Sequence, residues 1–463
     1  MRPLSLAVFL SALMVFPACA TVAAPPAAPG GALPERPFGT LQEQALRQQA
    51  WLRERLEVAL PHLMRQHRIE MWVVPMREYN EDPVFKALVS PTTYSARRRT
   101  IYVFQDLGAQ LGVSRVALGG GSQGGVYEVR RPPVKVEGGG GERVAEPWGP
   151  EQWQMLKQLL EERQPRTIAI DVSRVFAFSD GLTHGEYEGM VEALGPEWAA
   201  RLKPSGGLPV DVLAWRSADE ERFFAQENQL AWDIIQTAFS NAVITPGTTH
   251  VSEVEWWMVQ RLNDLGLATW FHPSVSVQRQ GAGEAPLGED PVIQRGDVLH
   301  CDFGITALRL NTDTQHMGYV LREGETEVPE GLRQALARSN RLQDLVVEEL
   351  RPGRTGNEVL RASLSRMREE GIEGTVYSHP VGLHGHGAGS MVGLWDRQQG
   401  VPGNGDHPII PSMWYSIELQ ATSPVAEWGG QKVRSAQEED VIIGADGQVR
   451  WAWKRQTAFH VVR

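Results

Sequence analysis

Gly296-Asp297-Val298-Leu299-His300-Cys301-Asp302-Phe303-Gly304 is an apolar stretch with an acid near its end. Val298–Phe303 reads as a strand bounded by glycines. A lone carboxylate buried in such a strand is costly unless a charge or a hydrogen-bond donor meets it. Asp302 therefore needs a partner. Asp313 follows in Asn311-Thr312-Asp313-Thr314, and a β-hairpin with Gly304 near its turn brings the two acids to one point. Further along, His386 lies in Gly385-His386-Gly387-Ala388-Gly389 and Glu418 in the apolar Trp414-Tyr415-Ser416-Ile417-Glu418-Leu419. Glu438 precedes Glu439-Asp440-Val441-Ile442-Ile443, a strand leading to the Asp446-Gly447 turn. Singly, each is ordinary: strand-end acids are mostly solvated, and a histidine in a glycine-rich loop is mostly structural. The ordered set Asp, Asp, His, Glu, Glu is a donor set for hard divalent cations, and one imidazole among four carboxylates suits Mn²⁺, Co²⁺ or Zn²⁺.

Working outward, Ser217 and Glu220 form a capping-box pattern that opens a helix to about Asn241. Pro246-Gly247 breaks it, and Ser252 with Glu255 opens a second helix that stops at Gly266. Strands at Ser274–Val277 and Gly318–Leu321, helices from about Glu330 to Leu350 and from Thr355 to Gly371, and short strands after His379 complete this half. The first half has a helix from Thr40 to about His67, strands at Met71–Val74 and Ile101–Phe104, and a hairpin arm at Val126–Val136 between Gly119–Gly125 and Gly138–Gly141. A helix at Glu151–Arg163, a strand at Thr167–Val172 and a helix at Thr183–Leu194 follow. The expected domains are 40–215, poor in metal-ligating clusters, and 216–463. Gly119–Gly124 matches both G-x-G-x-x-G and, around Ser122, G-x-S-x-G, but strand-like Val126–Arg130 follows where either motif needs a helix. Asp302-Phe303-Gly304 mimics the kinase metal-binding triplet without a catalytic loop to accompany it.

Composition narrows the function classes. With 463 residues and 42% apolar content the chain has ample material for a core, and wholesale disorder is excluded. The net charge is −11, and no basic run exceeds Arg97-Arg98-Arg99, so no nucleic-acid partner is expected. Two cysteines supply neither a disulfide framework nor a thiolate zinc site. At the start, Arg2, apolar Leu4–Phe16 and Ala18-Cys19-Ala20 read as a signal peptide over 1–24, with an Ala/Pro/Gly-rich linker over 25–39. The expectation is export to a periplasmic or extracellular location, with a lipoprotein anchored through Cys19 as the alternative. No later stretch reaches transmembrane length.

Taken together, Gly296–Gly304, Asp313, Gly385–Gly389, Met413–Glu418 and Glu438–Gly447 resemble the pita-bread metallopeptidases: methionine aminopeptidases, Xaa-Pro aminopeptidases and prolidases, with creatinase as a metal-free relative. The last segment is similar to that family's E-D-x-V-L-V-T-x-x-G. The first half resembles the extra domain of the Xaa-Pro peptidase and creatinase branch. The implied fold class is α/β (α+β): a creatinase-like N-terminal α/β domain followed by a pita-bread catalytic domain. The resemblance implies two divalent ions per chain, manganese first and cobalt or zinc as alternatives. Asp302 would chelate one, Asp313 and Glu438 would bridge, and His386 and Glu418 would complete the second site. Glu418 would also receive the proton of the attacking water. His384 fits H-x-x-G through Gly387 and stands as the alternative ligand.

The pattern also departs from the family. A further histidine is expected seven residues beyond the ligand histidine, yet seven beyond His386 is Gly393. His379 and His384 are the candidates to hydrogen-bond the substrate carbonyl or oxyanion instead. His316, three residues after Asp313 where the family carries arginine or threonine, and His272 in Phe271-His272-Pro273 are the candidate substrate contacts. The expected activity is removal of the N-terminal residue from peptides with proline second. The alternatives are an Xaa-Pro dipeptidase, a metal-free creatinase-like C–N hydrolase and a catalytically degenerate peptide-binding protein. A homodimer is expected.

Overall fold

The computed structural model describes residues 36–131, 151–283 and 287–463. The expected signal peptide 1–24 with Cys19, most of the linker 25–39 and the Gly138–Gly141 turn lie outside the described residues. Among the described residues no helix is long and apolar enough to cross a membrane.

The first half builds a six-stranded mixed sheet from β1 (Met71–Arg77), β2 (Arg99–Asp106), β3 (Val113–Leu118), β4 (Glu128–Arg130), β5 (Ile168–Ile170) and β6 (Leu202–Pro204), in the order β4-β3-β2-β1-β5-β6. Gly119–Gly125 joins no hairpin, because β4 runs parallel to β3, with Val116 opposite Glu128; residues 132–136 of the expected arm lie outside the described residues.

The second half forms a nine-stranded sheet. Its strands are β7 (Ser274–Gln278) and β8 (Val298–Phe303), β11 (Thr314–Val320), β12 (Glu373–Val376), β13 (His379–Val381), β14 (Met413–Val425), β15 (Gln431–Ile443), β16 (Val449–Trp451) and β17 (His460–Val462). The main path is β12-β14-β15-β11-β8-β7, with β13 on β14, β16 on β15 and β17 parallel to β11. Between β8 and β11 sits a small hairpin, β9 (Thr306–Ala307) and β10 (Leu310–Asn311), whose turn residues Leu308 and Arg309 have φ of 50° and 67°. The chain thus reverses at Leu308-Arg309 rather than at Gly304. Gly304 serves close packing instead: a Cβ there would lie 2.5 Å from the Thr312 carbonyl oxygen and 2.6 Å from Trp270 Nε1.

The helices cover one side of this sheet. Glu330–Glu349 packs on β14 and β15, Gly356–Glu369 on β12, Ala218–Ala238 on β8 and Val251–Asp264 on β7. Capping boxes at Thr40/Glu43, Ser217/Glu220 and Thr355/Glu358 form with both reciprocal bonds. The helix expected to start at Ser252 instead begins at Val251, with the His250 N–H donating to Glu253 at 2.8 Å. Ser252 is engaged elsewhere: its hydroxyl donates to Asp290 at 2.9 Å.

One apolar cluster ties the two halves together. It contains Leu52, Leu60 and Trp72 from the first half, Phe223 and Phe224 from the long helix, and Trp414 and Ile442 from the second sheet. Phe224 stacks on Trp414 at 3.8 Å with an interplanar angle of 7°. Arg216 lies over the Trp414 indole at 5.0 Å.

Candidate metal centre

Register explains why distant acids converge. Asp302 on β8 is opposite Gln315 on β11, Gln315 is opposite Glu438 on β15, and Glu438 is opposite Glu418 on β14. Four neighbouring strands therefore carry one row of side chains, at a strand spacing of roughly 4.8 Å. Asp313 precedes Gln315 by two residues and shares its face. β13 adds His379 opposite Ser416, two residues from Glu418.

Three groups of potential ligand atoms lie within 4.8 Å of one another: Asp302, Asp313 and Glu438; His379, Glu418 and Glu438; and Asp313, His379 and His386. Asp313, His379 and Glu438 are buried. His379 Nε2 is 3.2 Å from Glu438 Oε1, 3.4 Å from Asp313 Oδ2 and 3.8 Å from Glu418 Oε2. Its Nδ1–H donates to the Pro380 carbonyl at 2.9 Å, which turns Nε2 toward the acids. His386 lies next to it, ring to ring at 4.8 Å and edge-on, with Trp270 5.2 Å away. A Cβ on Gly385 would fall 2.1 Å from Trp270, so glycine permits this approach.

The electrostatics are those of crowded, desolvated acids. Burial, reinforced by the Glu438 charge, holds Asp302, Asp313 and Glu418 well above the usual carboxylate range. Burial alone would lower the His379 imidazole, but hydrogen bonds to Asp313 and Glu438 lift it well above the ordinary histidine value. Asp302 Oδ1 and Asp313 Oδ1 are buried without a hydrogen-bond partner. Buried carboxylate oxygens facing other carboxylates are the complement of divalent cations, and five oxygen and nitrogen donors without sulfur fit a hard or borderline ion.

Gln315, which sequence reasoning passed over, lies in the middle of the row. Its Nε2 donates to Glu418 Oε1 at 2.6 Å, Glu438 Oε2 at 2.8 Å and, more weakly, Asp302 Oδ2 at 3.4 Å. Its Oε1 faces His300 Nε2 at 2.9 Å, and His300 Nδ1 faces the Ser276 hydroxyl at 3.3 Å. The signal was present as alternation, because the residue two beyond Asp313 on a strand shares its face. Ser416 supports the row by donating to Glu438 Oε1 at 2.7 Å, and Asp440 accepts the Asp313 N–H at 3.2 Å.

The other expected histidines sit elsewhere. His316 alternates to the opposite face of β11, fully buried, with Nδ1 3.0 Å from His460 Nε2, Nε2 3.2 Å from Glu439 and its ring 4.6 Å from Trp232. The substrate contact expected of it is therefore corrected: a one-residue step along a strand reverses the side chain. His384 belongs to none of the three ligand groups among the described residues. It faces Phe178 at 4.8 Å, and burial, with Lys86 and Arg216 nearby, lowers it to about 4. His272 is exposed, with its ring 4.9 Å from Trp256 and Nδ1 2.8 Å from the Pro273 carbonyl oxygen.

Comparison with known proteins fits this geometry. Residues 227–445 match the model of metallopeptidase family M24. No curated protein matches the sequence significantly. Among solved structures, the X-Pro aminopeptidase of Thermotoga maritima aligns at 17% identity and a TM-score of 0.57, over 87% of this chain and 100% of that one. The Xaa-Pro dipeptidase of Bacillus anthracis aligns at 17% identity and 0.57, over 90% and 100%. The N-terminal domain of the FACT complex subunit SPT16 from Cicer arietinum aligns at 11% identity and 0.56, over 90% and 99%. At such identities the likeness shows the fold alone, and one fold carries unrelated functions. The matched segment contains the whole row of acids and both neighbouring histidines. Residues 227–445 thus carry the match to metallopeptidase family M24, and the chain shares the fold of the solved X-Pro aminopeptidase and Xaa-Pro dipeptidase.

Proposed function

We propose that the protein is an exported, dinuclear metal-dependent aminopeptidase that removes the first residue from peptides with proline second. The observation that carries this reading is the row Asp302, Glu438 and Glu418, closed by Asp313 and His379, whose ligand atoms fall into overlapping groups of three within 4.8 Å. Asp302, Asp313, Glu438, Glu418 and His379 would hold the ions. This moves the imidazole ligand from His386 to His379, because His379 Nε2 points at three carboxylates. It also resolves the spacing: seven residues beyond His379 is His386, which takes the role of the family's second histidine toward substrate. Two divalent ions at such a site supply an activated water and polarise a carbonyl. The chain's part is to hold the ions, to accept the water's proton at Glu418 and to place His386 beside the carbonyl oxygen.

The similarity to an Xaa-Pro dipeptidase supports a second reading in which only dipeptides are cleaved. Assaying Xaa-Pro peptides of two, three and four residues with Mn²⁺ separates the two. Release of the first residue from all lengths is expected. Cleavage of dipeptides alone would select the second reading, and loss of all cleavage would discard both.

A further inference from the structure

Beyond the row of acids, the same sheet face continues into an open pocket of about 510 Å³ lined by Ser276, Gln278, Gln420, Thr422, Lys432 and Arg434. Alternation dictates this. Gln420 and Thr422 follow Glu418 at steps of two on β14, while Ala436 and Arg434 precede Glu438 at steps of two on β15, and Thr422 is opposite Arg434. Arg434 is thus four residues from Glu438, roughly 13 Å along the strand. Its backbone is clamped across the pocket: the Arg434 N–H donates to Gln278 Oε1, and Gln278 Nε2 donates to the Arg434 carbonyl, both at 2.8 Å.

The pocket's charge is asymmetric. Arg279, at its edge, is held by Asp297 at 2.7 Å, and Lys432 by Glu373 at 2.8 Å. Arg434 is exposed, lines the pocket and has no ion pair among the described residues. Among the described residues no acid lines the pocket. A free peptide ammonium would be repelled there, whereas a carboxylate would gain a charge-assisted, bidentate partner.

We propose that Arg434 is a specificity-determining residue that binds a substrate carboxylate two to three residues beyond the scissile bond. The proposal rests on the peptidase reading above. An extended peptide advances about 3.5 Å per residue. A carboxylate two or three residues past the cleaved carbonyl therefore lies about 7–11 Å from it, within reach of a guanidinium whose backbone is anchored roughly 13 Å from Glu438. The side chain favours peptides longer than two residues and orients them with the C-terminal end in the open pocket. The shared chemistry is a carboxylate, supplied either by the C-terminus or by an acidic side chain.

The test compares Xaa-Pro-Ala and Xaa-Pro-Ala-Ala as free acids and as C-terminal amides, together with amidated Xaa-Pro-Ala-Glu, on the Mn²⁺-loaded wild-type protein, Arg434→Ala and Arg434→Lys. The wild type should prefer a carboxylate by about tenfold in kcat/KM, chiefly through KM. The preference should collapse toward unity in Arg434→Ala and be partly kept in Arg434→Lys. Restored preference for the amidated glutamate peptide would assign the side chain as the source, and its loss the C-terminus. Equal rates for acids and amides in the wild type would overturn the proposal while leaving the peptidase reading intact. Should no peptide be cleaved, calorimetric binding of Pro-Ala-Ala and its amide decides. A tenfold preference for the acid, removed by Arg434→Ala, would support the subsite, and its absence would refute it.

Discussion

Asp302→Asn should make the metal-free protein more stable while destroying its response to metal. Asp302, Asp313 and Glu438 present ligand atoms within 4.8 Å of one another. At an effective dielectric of about 20, one pair of unit charges at that distance repels by roughly 3 kcal/mol. Proton uptake relieves part of this, and burial with the Glu438 charge accordingly raises the Asp302 carboxyl well above its usual range. A carboxyl raised in the folded state costs stability once the pH exceeds its unfolded value. Metal-free wild-type protein should therefore lose stability as the pH climbs above about 4. An amide of the same shape removes one charge from the cluster. The variant should gain about 1–3 kcal/mol near pH 7.5, a rise of several degrees in Tm, and should show a flatter pH dependence. The assay is thermal unfolding in a chelator from pH 5 to 8, repeated with Mn²⁺ in excess. Wild type should rise by about 3 kcal/mol or more at a hundredfold excess over Kd, and the variant by far less. A metal-free variant that melts below wild type across the whole pH range would refute the charge-cluster reasoning. An undiminished Mn²⁺ response would refute Asp302 as a ligand.

Further outcomes follow from the same geometry. His379→Ala should remove at least half of the bound metal and abolish hydrolysis, whereas His386→Ala should keep its metal and lose rate; metal content by elemental analysis beside kcat/KM separates the two. Trp414→Ala should cost about 3–5 kcal/mol in denaturant unfolding, because it deletes the buried ring stacked between Phe224 and Arg216. Asp219 accepts from Arg47 at 2.7 Å and from the Trp51 indole at 2.8 Å, and the Arg47 bond leads in lowering it to about 2. A carboxyl depressed by folding lends stability above its unfolded value and loses it as the pH falls through the folded one. Asp219→Asn should thus destabilise by about 1 kcal/mol at pH 7, with the difference from wild type vanishing between pH 4 and 2.

Much of the centre was legible because ionised groups on apolar strands are rare enough to stand out. Val298–Phe303 and Met413–Val425 announced Asp302 and Glu418 by contrast with their neighbours, and the capping boxes at Ser217 and Thr355 declared helix starts through purely local bonds. These are statements about a few adjacent residues, and sequence alone settles them. The ligand histidine was different. The sequence pointed to His386 with His384 as its alternative, and only the pairing of β13 with β14 turns His379 Nε2 toward Glu438. Gln315 and His316 are adjacent in sequence yet point to opposite faces, so register decided which one meets the acids. Arg434 likewise became a pocket residue only when Thr422 was found opposite it. The sequence determined which chemical groups the chain possesses and the local elements that carry them. The tertiary structure decided which groups share a face, because strand register is set by long-range pairing and one residue of slip reverses every side chain.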